Sequence, residues 1–224
     1  MKLEMPPQGK QAGGARLTYH GLSAQRAVNS NARGMANFVR ITNEMSEAVL
    51  QHLRDSFFAD EPLNKAVGLC ERGQPHAALE RLCTATIADG LSIAAMQGDT
   101  QSSDEKYNKI FTILYTVSRD LNLFSTFRVD CILECRIISV SDAARGKGLA
   151  KELMKRSIDI AKEKQFKLFK VDATGAYSQR ICSSLGLRTL RRVRYSDYCG
   201  ADGQPVFNVP PPHDALAVMA LELP

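Results

Sequence analysis

No stretch of this 224-residue chain approaches the roughly 20 consecutive apolar residues that cross a bilayer as a helix. No short apolar block follows a basic start, as it does in a secretory signal. A protein without membrane contact, soluble and cytoplasmic, is the expectation. The six cysteines, at 70, 83, 131, 135, 182 and 199, include no Cys-x-x-Cys pair and have no histidine cluster nearby. Neither a metal site nor a disulfide framework follows from them; reduced, mostly buried thiols do. The pI of about 8.9 is accompanied by no basic stripe with interleaved aromatics and no finger or helix-turn-helix spacing, so a nucleic-acid partner is not expected. Acids are nearly missing from residues 1–36, where Glu4 stands against Lys2, Lys10, Arg16, Arg26 and Arg33 among several Gly and Pro residues. That composition predicts a mobile tail, and Pro6-Pro7 with the glycines speaks against an amphipathic targeting helix.

What is present suffices for one substantial core. With 44% hydrophobic residues, residues 37–224 read as a single α/β domain. Its organising stretch is 131–172. Cys131 to Val140, rich in β-branched and aliphatic residues, predicts a strand. After the turn Arg145-Gly146-Lys147-Gly148, the residues Leu149, Leu153, Ser157 and Ile160, with Ala150, Met154, Ile158 and Ala161, form one apolar helical face. Phe166 to Asp172 reads as a second strand. Strand, glycine turn, helix and strand make a crossover between parallel neighbours.

Two glycines at a helix start let the backbone approach a ligand where unpaired N–H groups carry partial positive charge, an arrangement suited to phosphate oxygens. Between Ser141 and Lys170 stand nine Lys or Arg against four Asp or Glu, an excess of five that equals the formal +5 of the whole chain. The spacing narrows the ligand. A nucleoside-triphosphate loop requires Ser or Thr after Gly146-Lys147, where Gly148 stands, and a dinucleotide fingerprint requires glycine at Lys151.

Arg145-Gly146-Lys147-Gly148-Leu149-Ala150, following Ile137-Ile138-Ser139-Val140, resembles the acetyl-CoA signature of the GCN5-related N-acetyltransferases (GNAT). From about Phe38 onward the chain is similar to the insect arylalkylamine (dopamine) N-acetyltransferases. Four motifs in order carry the likeness: Phe57-Phe58-Ala59-Asp60-Glu61-Pro62-Leu63-Asn64, the Arg145 turn, Tyr177-Ser178 with Leu185-Gly186-Leu187, and Tyr195-Ser196-Asp197-Tyr198. The resemblance implies a mixed, mostly antiparallel sheet with one central parallel pair opened by a splay, and helices on both faces. It implies acetyl-CoA as cosubstrate and a small primary amine as acceptor. Arylalkylamines such as dopamine, serotonin or tryptamine come first and polyamines second; a CoA-binding member without turnover is the other class. A monomer is expected.

Elsewhere Asn37 to Ile41 predicts a strand, Thr42-Asn43-Glu44 a helix start, and Asp60-Glu61-Pro62 a cap, an acid and a proline opening the next helix. Glu80 to Ala88 and Lys106 to Phe124 read as helices, Leu91 to Met96 as a strand, Ser178 to Leu185 as a short helix closed by Gly186, and Leu187 to Tyr198 and Leu216 to Leu223 as the last strands. The family has a hairpin return arm after the strand at 91–96. Here Asp99-Thr100 passes directly to Gln101-Ser102-Ser103-Asp104-Glu105. Losing a strand from the sheet centre would leave rows of unpaired backbone groups, so an omission from the sequence is suspected; direct pairing of Leu91–Met96 with Cys131–Val140 is the alternative.

Acetyl transfer to an amine needs a proton acceptor, a polarised carbonyl and a proton for the leaving thiolate. Glu61 matches the general base of the insect enzymes, with Asp60 as its neighbouring control. A backbone N–H at a bulge near Ile137 or Ile138 would polarise the carbonyl. Pantetheine would pair with main-chain groups of Ile138, Ser139 and Val140, and pyrophosphate would meet Arg145, Gly146, Lys147, Gly148, Leu149 and Ala150. Where many relatives place a tyrosine acid this chain has Cys182; the resemblance assigns the proton instead to hydroxyls matching Thr174 and Ser178. Read on their own, Thr174 caps a helix and Ser178 lies on its first turn. His213, without a carboxylate placed by spacing, reads as a packed loop histidine.

Overall fold

The computed structural model describes residues 18–20, 25–30, 36–88 and 103–224. In chain order its elements are strands β1 (Thr18–His20), β2 (Gln25–Ser30) and β3 (Ala36–Arg40); helices α1 (Ser46–His52), α2 (Phe58–Asp60), α3 (Pro62–Val67), α4 (Ala77–Ala88), α5 (Glu105–Asp120) and α6 (Leu123–Phe127); strands β4 (Leu133–Cys135) and β5 (Ile138–Val140); helix α7 (Leu149–Glu163), strand β6 (Leu168–Ala173), helix α8 (Ala176–Ser184), and strands β7 (Arg188–Arg194) and β8 (Ala215–Glu222). The main sheet runs β4-β6-β8-β7, with β4 and β6 parallel and the other neighbours antiparallel.

Helices cover both faces of that sheet. Met154, Ile158 and Ala161 of α7 and Cys182 of α8 pack with Leu133, Cys135, Phe169, Val171, Ala217 and Met219 on one side. Leu216 turns to the other side, into the core formed by α1 and α3 to α5. Strand β8 is buried through Ala215–Ala220 because alternate residues feed opposite cores. The apolar stripe of α7 falls where the spacing places it, with Leu153, Met154, Ser157, Ile158 and Ala161 buried.

Several boundaries differ from the sequence expectations. The strand expected over 131–140 is two pieces, β4 and β5, interrupted at Arg136-Ile137. The helix expected over 106–124 stops at Asp120, because Asn122 adopts the left-handed conformation (φ 43°) that asparagine tolerates better than most residues. The strand expected from Leu187 to Tyr198 ends at Arg194, where Tyr195–Asp197 forms a 3₁₀ turn. At the end of α8 the expected Gly186 does stand, at φ 87°, with Leu187 N–H returning to Cys182 O at 3.1 Å.

Two short strands, β1 and β2, lie within the segment whose composition reads as a tail. β1 pairs antiparallel with β5, Tyr19 opposite Ser139, and β2 with β3. The expected strand Leu91–Met96 and the suspected omission between Asp99 and Glu105 fall on residues 89–102, outside the described residues. Among the described residues no helix is long and apolar enough to cross a membrane, no cluster of metal-ligating side chains occurs, and all six cysteines are free thiols.

Candidate active site

The site grows from the end of the parallel pair. β4 runs beside β6 in the register Leu133↔Phe169, Glu134↔Lys170, Cys135↔Val171. Beyond Cys135 that ladder stops, and the next strand residues, Ile138–Val140, pair with β1 instead. The two parallel strands therefore part at Arg136-Ile137, the place where a bulge was expected. Ser139 is buried under this opening, and its Oγ lies 2.9 Å from Nε2 of His52 on α1. Burial lowers the His52 pKa to about 4, so its ring is neutral.

Past Val140 the chain makes the glycine turn. Gly146 and Gly148 have φ of 76° and 74°, which only glycine adopts at little cost, and a Cβ built on either would meet no protein atom within 4 Å. Gly148 is the N-cap of the 15-residue helix α7, with no side chain capping its N–H groups. An open approach, uncapped N–H groups and exposed Lys147 and Lys151 fit a diphosphate. Leu149 and Ala150, half-buried, start the helix behind the turn. Arg145 reaches back: its Nε donates to Val140 O at 3.2 Å, and its guanidinium pairs with Asp142 and Asp60, each at 3.0 Å.

Asp60 and Glu61 thus point to different places. Asp60, last residue of α2, divides its carboxylate between Arg72 (2.6 Å) and Arg145. Glu61 turns inward. It, rather than Asp60, is the N-cap of α3, accepting from Asn64 N–H at 2.7 Å with Pro62 at the first helical position. That bond uses Oε2. Oε1 is buried, and no hydrogen bond of ordinary geometry reaches it. Burial raises the Glu61 pKa; the Thr174 hydroxyl beside it and the helix N–H groups oppose that rise only in part. The capping reading and the catalytic reading of this glutamate are compatible, one for each oxygen.

Thr174 follows β6 directly, at the carboxyl end of the strand where sites in α/β sheets collect. It does not cap α8: the N-cap is Gly175, without a side-chain bond. Across the chain, Nδ1 of His213 accepts the Ala176 N–H at 3.1 Å. The histidine read as loop packing therefore performs the capping expected of Thr174, leaving that hydroxyl beside Glu61. A Cβ at Gly175 would come within 3.1 Å of His213 and 3.3 Å of Pro62, so these segments meet with little room to spare. Ser178 lies on the first turn, donating to Gly175 O at 2.8 Å, as its alternative reading required. Cys182 is fully buried in the core under α8, its thiol pKa pushed up to about 12 by burial, which makes it a poor proton donor.

No role for Tyr195 follows from spacing along the chain. Its hydroxyl donates to Thr174 O at 2.7 Å, its ring packs against Phe207, and burial with the nearby Glu61 charge raises its pKa. Its only signal was membership of the Tyr-Ser-Asp-Tyr motif. His52 had none, since a lone histidine on a helix carries no spacing.

The GNAT acetyltransferase family model matches residues 128–186, which span β4, the glycine turn, α7, β6 and α8. The structure of arylalkylamine N-acetyltransferase 2 from Aedes aegypti is 39% identical, with a TM-score of 0.78, over 84% of this chain and 99% of that one. The chain belongs to the GNAT family. This acetyltransferase is an N-acetyltransferase that uses acetyl-CoA. It also shares its fold with the Drosophila melanogaster polyamine N-acetyltransferase that forms N-acetylagmatine (22% identity, TM-score 0.69, 82% of this chain and 97% of that one). A putative arylalkylamine N-acetyltransferase 7 from Aedes aegypti shares the fold as well (19%, 0.69, 92% and 93%).

Proposed function

We propose that the protein acetylates the primary amine of arylalkylamines, with Glu61 as general base and Thr174 and Ser178 serving the departing sulfur. The observation that carries this reading is the buried Oε1 of Glu61, which makes no hydrogen bond of ordinary geometry and has the Thr174 hydroxyl close by, at the end of the strand pair that opens at Arg136-Ile137. A buried carboxylate oxygen without a donor is unfavourable unless a ligand supplies one, and an ammonium does. Charge attraction brings the cation in, and the raised pKa lets Glu61 hold the proton it takes. Acetyl-CoA supplies the acetyl group and a thiolate leaving group. The backbone at Ile137 and Ile138 faces the parting of the strands, where an N–H donor would polarise the carbonyl. Ile138, Ser139 and Val140 would hold the pantetheine arm, and Arg145 to Ala150 the diphosphate. The 39% identity to the mosquito arylalkylamine enzyme supports an aromatic amine.

A panel of dopamine, serotonin, tryptamine, spermidine and agmatine, assayed with acetyl-CoA, tests the substrate class. Higher kcat/KM for the three arylalkylamines is expected, and a preference for the two aliphatic amines would reverse the assignment. Thr174→Val removes the hydroxyl and keeps the shape. Its kcat should fall about tenfold, the equivalent of one lost hydrogen bond in the transition state, with acetyl-CoA affinity unchanged. An unaltered kcat would leave Thr174 a structural residue.

A further inference from the structure

The two faces of the parallel pair differ in kind. Leu133 and Cys135 of β4 and Phe169 and Val171 of β6 fill an apolar core. On the opposite face Lys170 is 7% exposed. Its Nζ bonds the Glu134 carboxylate and Asp172 Oδ2, the latter at 2.7 Å. Arg136 closes on the second Glu134 oxygen at 3.2 Å, and Ser118 of α5 donates to Asp172 at 3.1 Å. Two cations and two carboxylates thus neutralise one another in the sheet. Burial pushes the Glu134 carboxyl up, but Lys170 and Arg136 outweigh it and hold it below the usual carboxylate range, whereas burial keeps Asp172 above its own.

Buried ion pairs seldom add stability beyond what apolar residues of similar size would give; their best-attested use is to fix register. Register is what this pair of strands needs. A slip by two residues keeps every side chain on its face. The apolar face accepts such a slip with modest repacking, whereas the charged face would lose the Glu134–Lys170 contact and leave charges uncompensated. The strands part immediately after Cys135, and Thr174 stands two residues beyond Asp172. The alignment of β4 against β6 therefore sets the distance from the backbone at Arg136–Ile138 to Thr174 and Glu61.

We propose that Lys170, with Glu134 and Asp172, is a positioning device for acetyl transfer, locking the register that places the carbonyl-polarising backbone opposite the proton-handling side chains. It rests on the functional reading above. The test is the double substitution Glu134→Gln and Lys170→Met, which removes one charge of each sign and keeps the volumes, with the exchange Glu134→Lys and Lys170→Glu as rescue. Well below the unfolding temperature, kcat should drop by at least about tenfold, since loosening the alignment by about 1 Å can cost up to about 10²-fold. Amine KM and acetyl-CoA affinity by calorimetry should stay within about threefold, and the exchanged pair should recover part of kcat. Loss of Tm with wild-type kcat per folded molecule would overturn the proposal. If the double variant does not fold, Lys170→Arg, which keeps the charge and alters its reach, should show the same split; wild-type kcat there would overturn it equally. A wild-type protein inactive on every amine would overturn the functional reading and this one together, whereas an active wild type matched by the variant overturns this one alone.

Discussion

Glu61→Gln should lower kcat by roughly 10²-fold or more, the usual scale of losing a general base, while leaving acetyl-CoA affinity near the wild-type value. Glutamine can keep the cap on α3, since a carbonyl oxygen in place of Oε2 still accepts the Asn64 N–H seen at 2.7 Å. It cannot take a proton from the amine. The same substitution should stabilise the protein at neutral pH. Burial places the folded-state pKa of Glu61 above its unfolded value, so stability present below the unfolded pKa is lost as pH rises through the folded one. Glutamine does not ionise and avoids that loss, and the difference in Tm between variant and wild type should close as pH falls. In wild type, kcat/KM should rise with pH along a limb lying above the ordinary carboxylate range, and the variant should lack this limb. Asp60→Asn is the control, because Asp60 faces Arg72 and Arg145. A large loss of turnover in Asp60→Asn combined with normal Glu61→Gln would falsify the assignment of the base.

Gly148→Val should weaken acetyl-CoA binding by roughly 10²-fold, the loss of one or two hydrogen bonds to a charged group. The substitution acts in two ways that two measurements separate. At φ 74° a β-branched residue is strained, which costs about 1–2 kcal/mol of stability. A Cβ there meets no protein atom within 4 Å, so the side chain starts in open space, the space that an approaching diphosphate would require. Calorimetry on the folded variant reads binding, and thermal unfolding reads strain. Normal affinity in a folded Gly148→Val protein would remove Arg145 to Ala150 from the diphosphate site.

Much of this protein was legible from local pattern. The α7 stripe, the turn Arg145-Gly146-Lys147-Gly148, the cap at Gly186 and the strands at 168–173 and 215–222 are each set by neighbours within a few residues, because helical periodicity, left-handed glycines and β-branched runs are local properties. Motif order in turn put the candidate site at the open end of one strand pair, and the fold brings Glu61 and Thr174 together from positions more than a hundred residues apart. Tertiary structure decided the rest. It split the strand at 131–140 into two ladders with different partners, since pairing depends on which strand arrives alongside. It gave the cap of α8 to His213 and so left Thr174 for Glu61, an exchange of roles that spacing along the chain does not encode. It turned Asp60 toward two arginines and Glu61, its neighbour in sequence, inward to a helix N–H, because Glu61 sits at the extended joint between α2 and α3. And it gathered Glu134, Lys170 and Asp172 on one buried face, a grouping that no spacing along the chain marks, because mutual neutralisation is available only once the parallel strands have aligned.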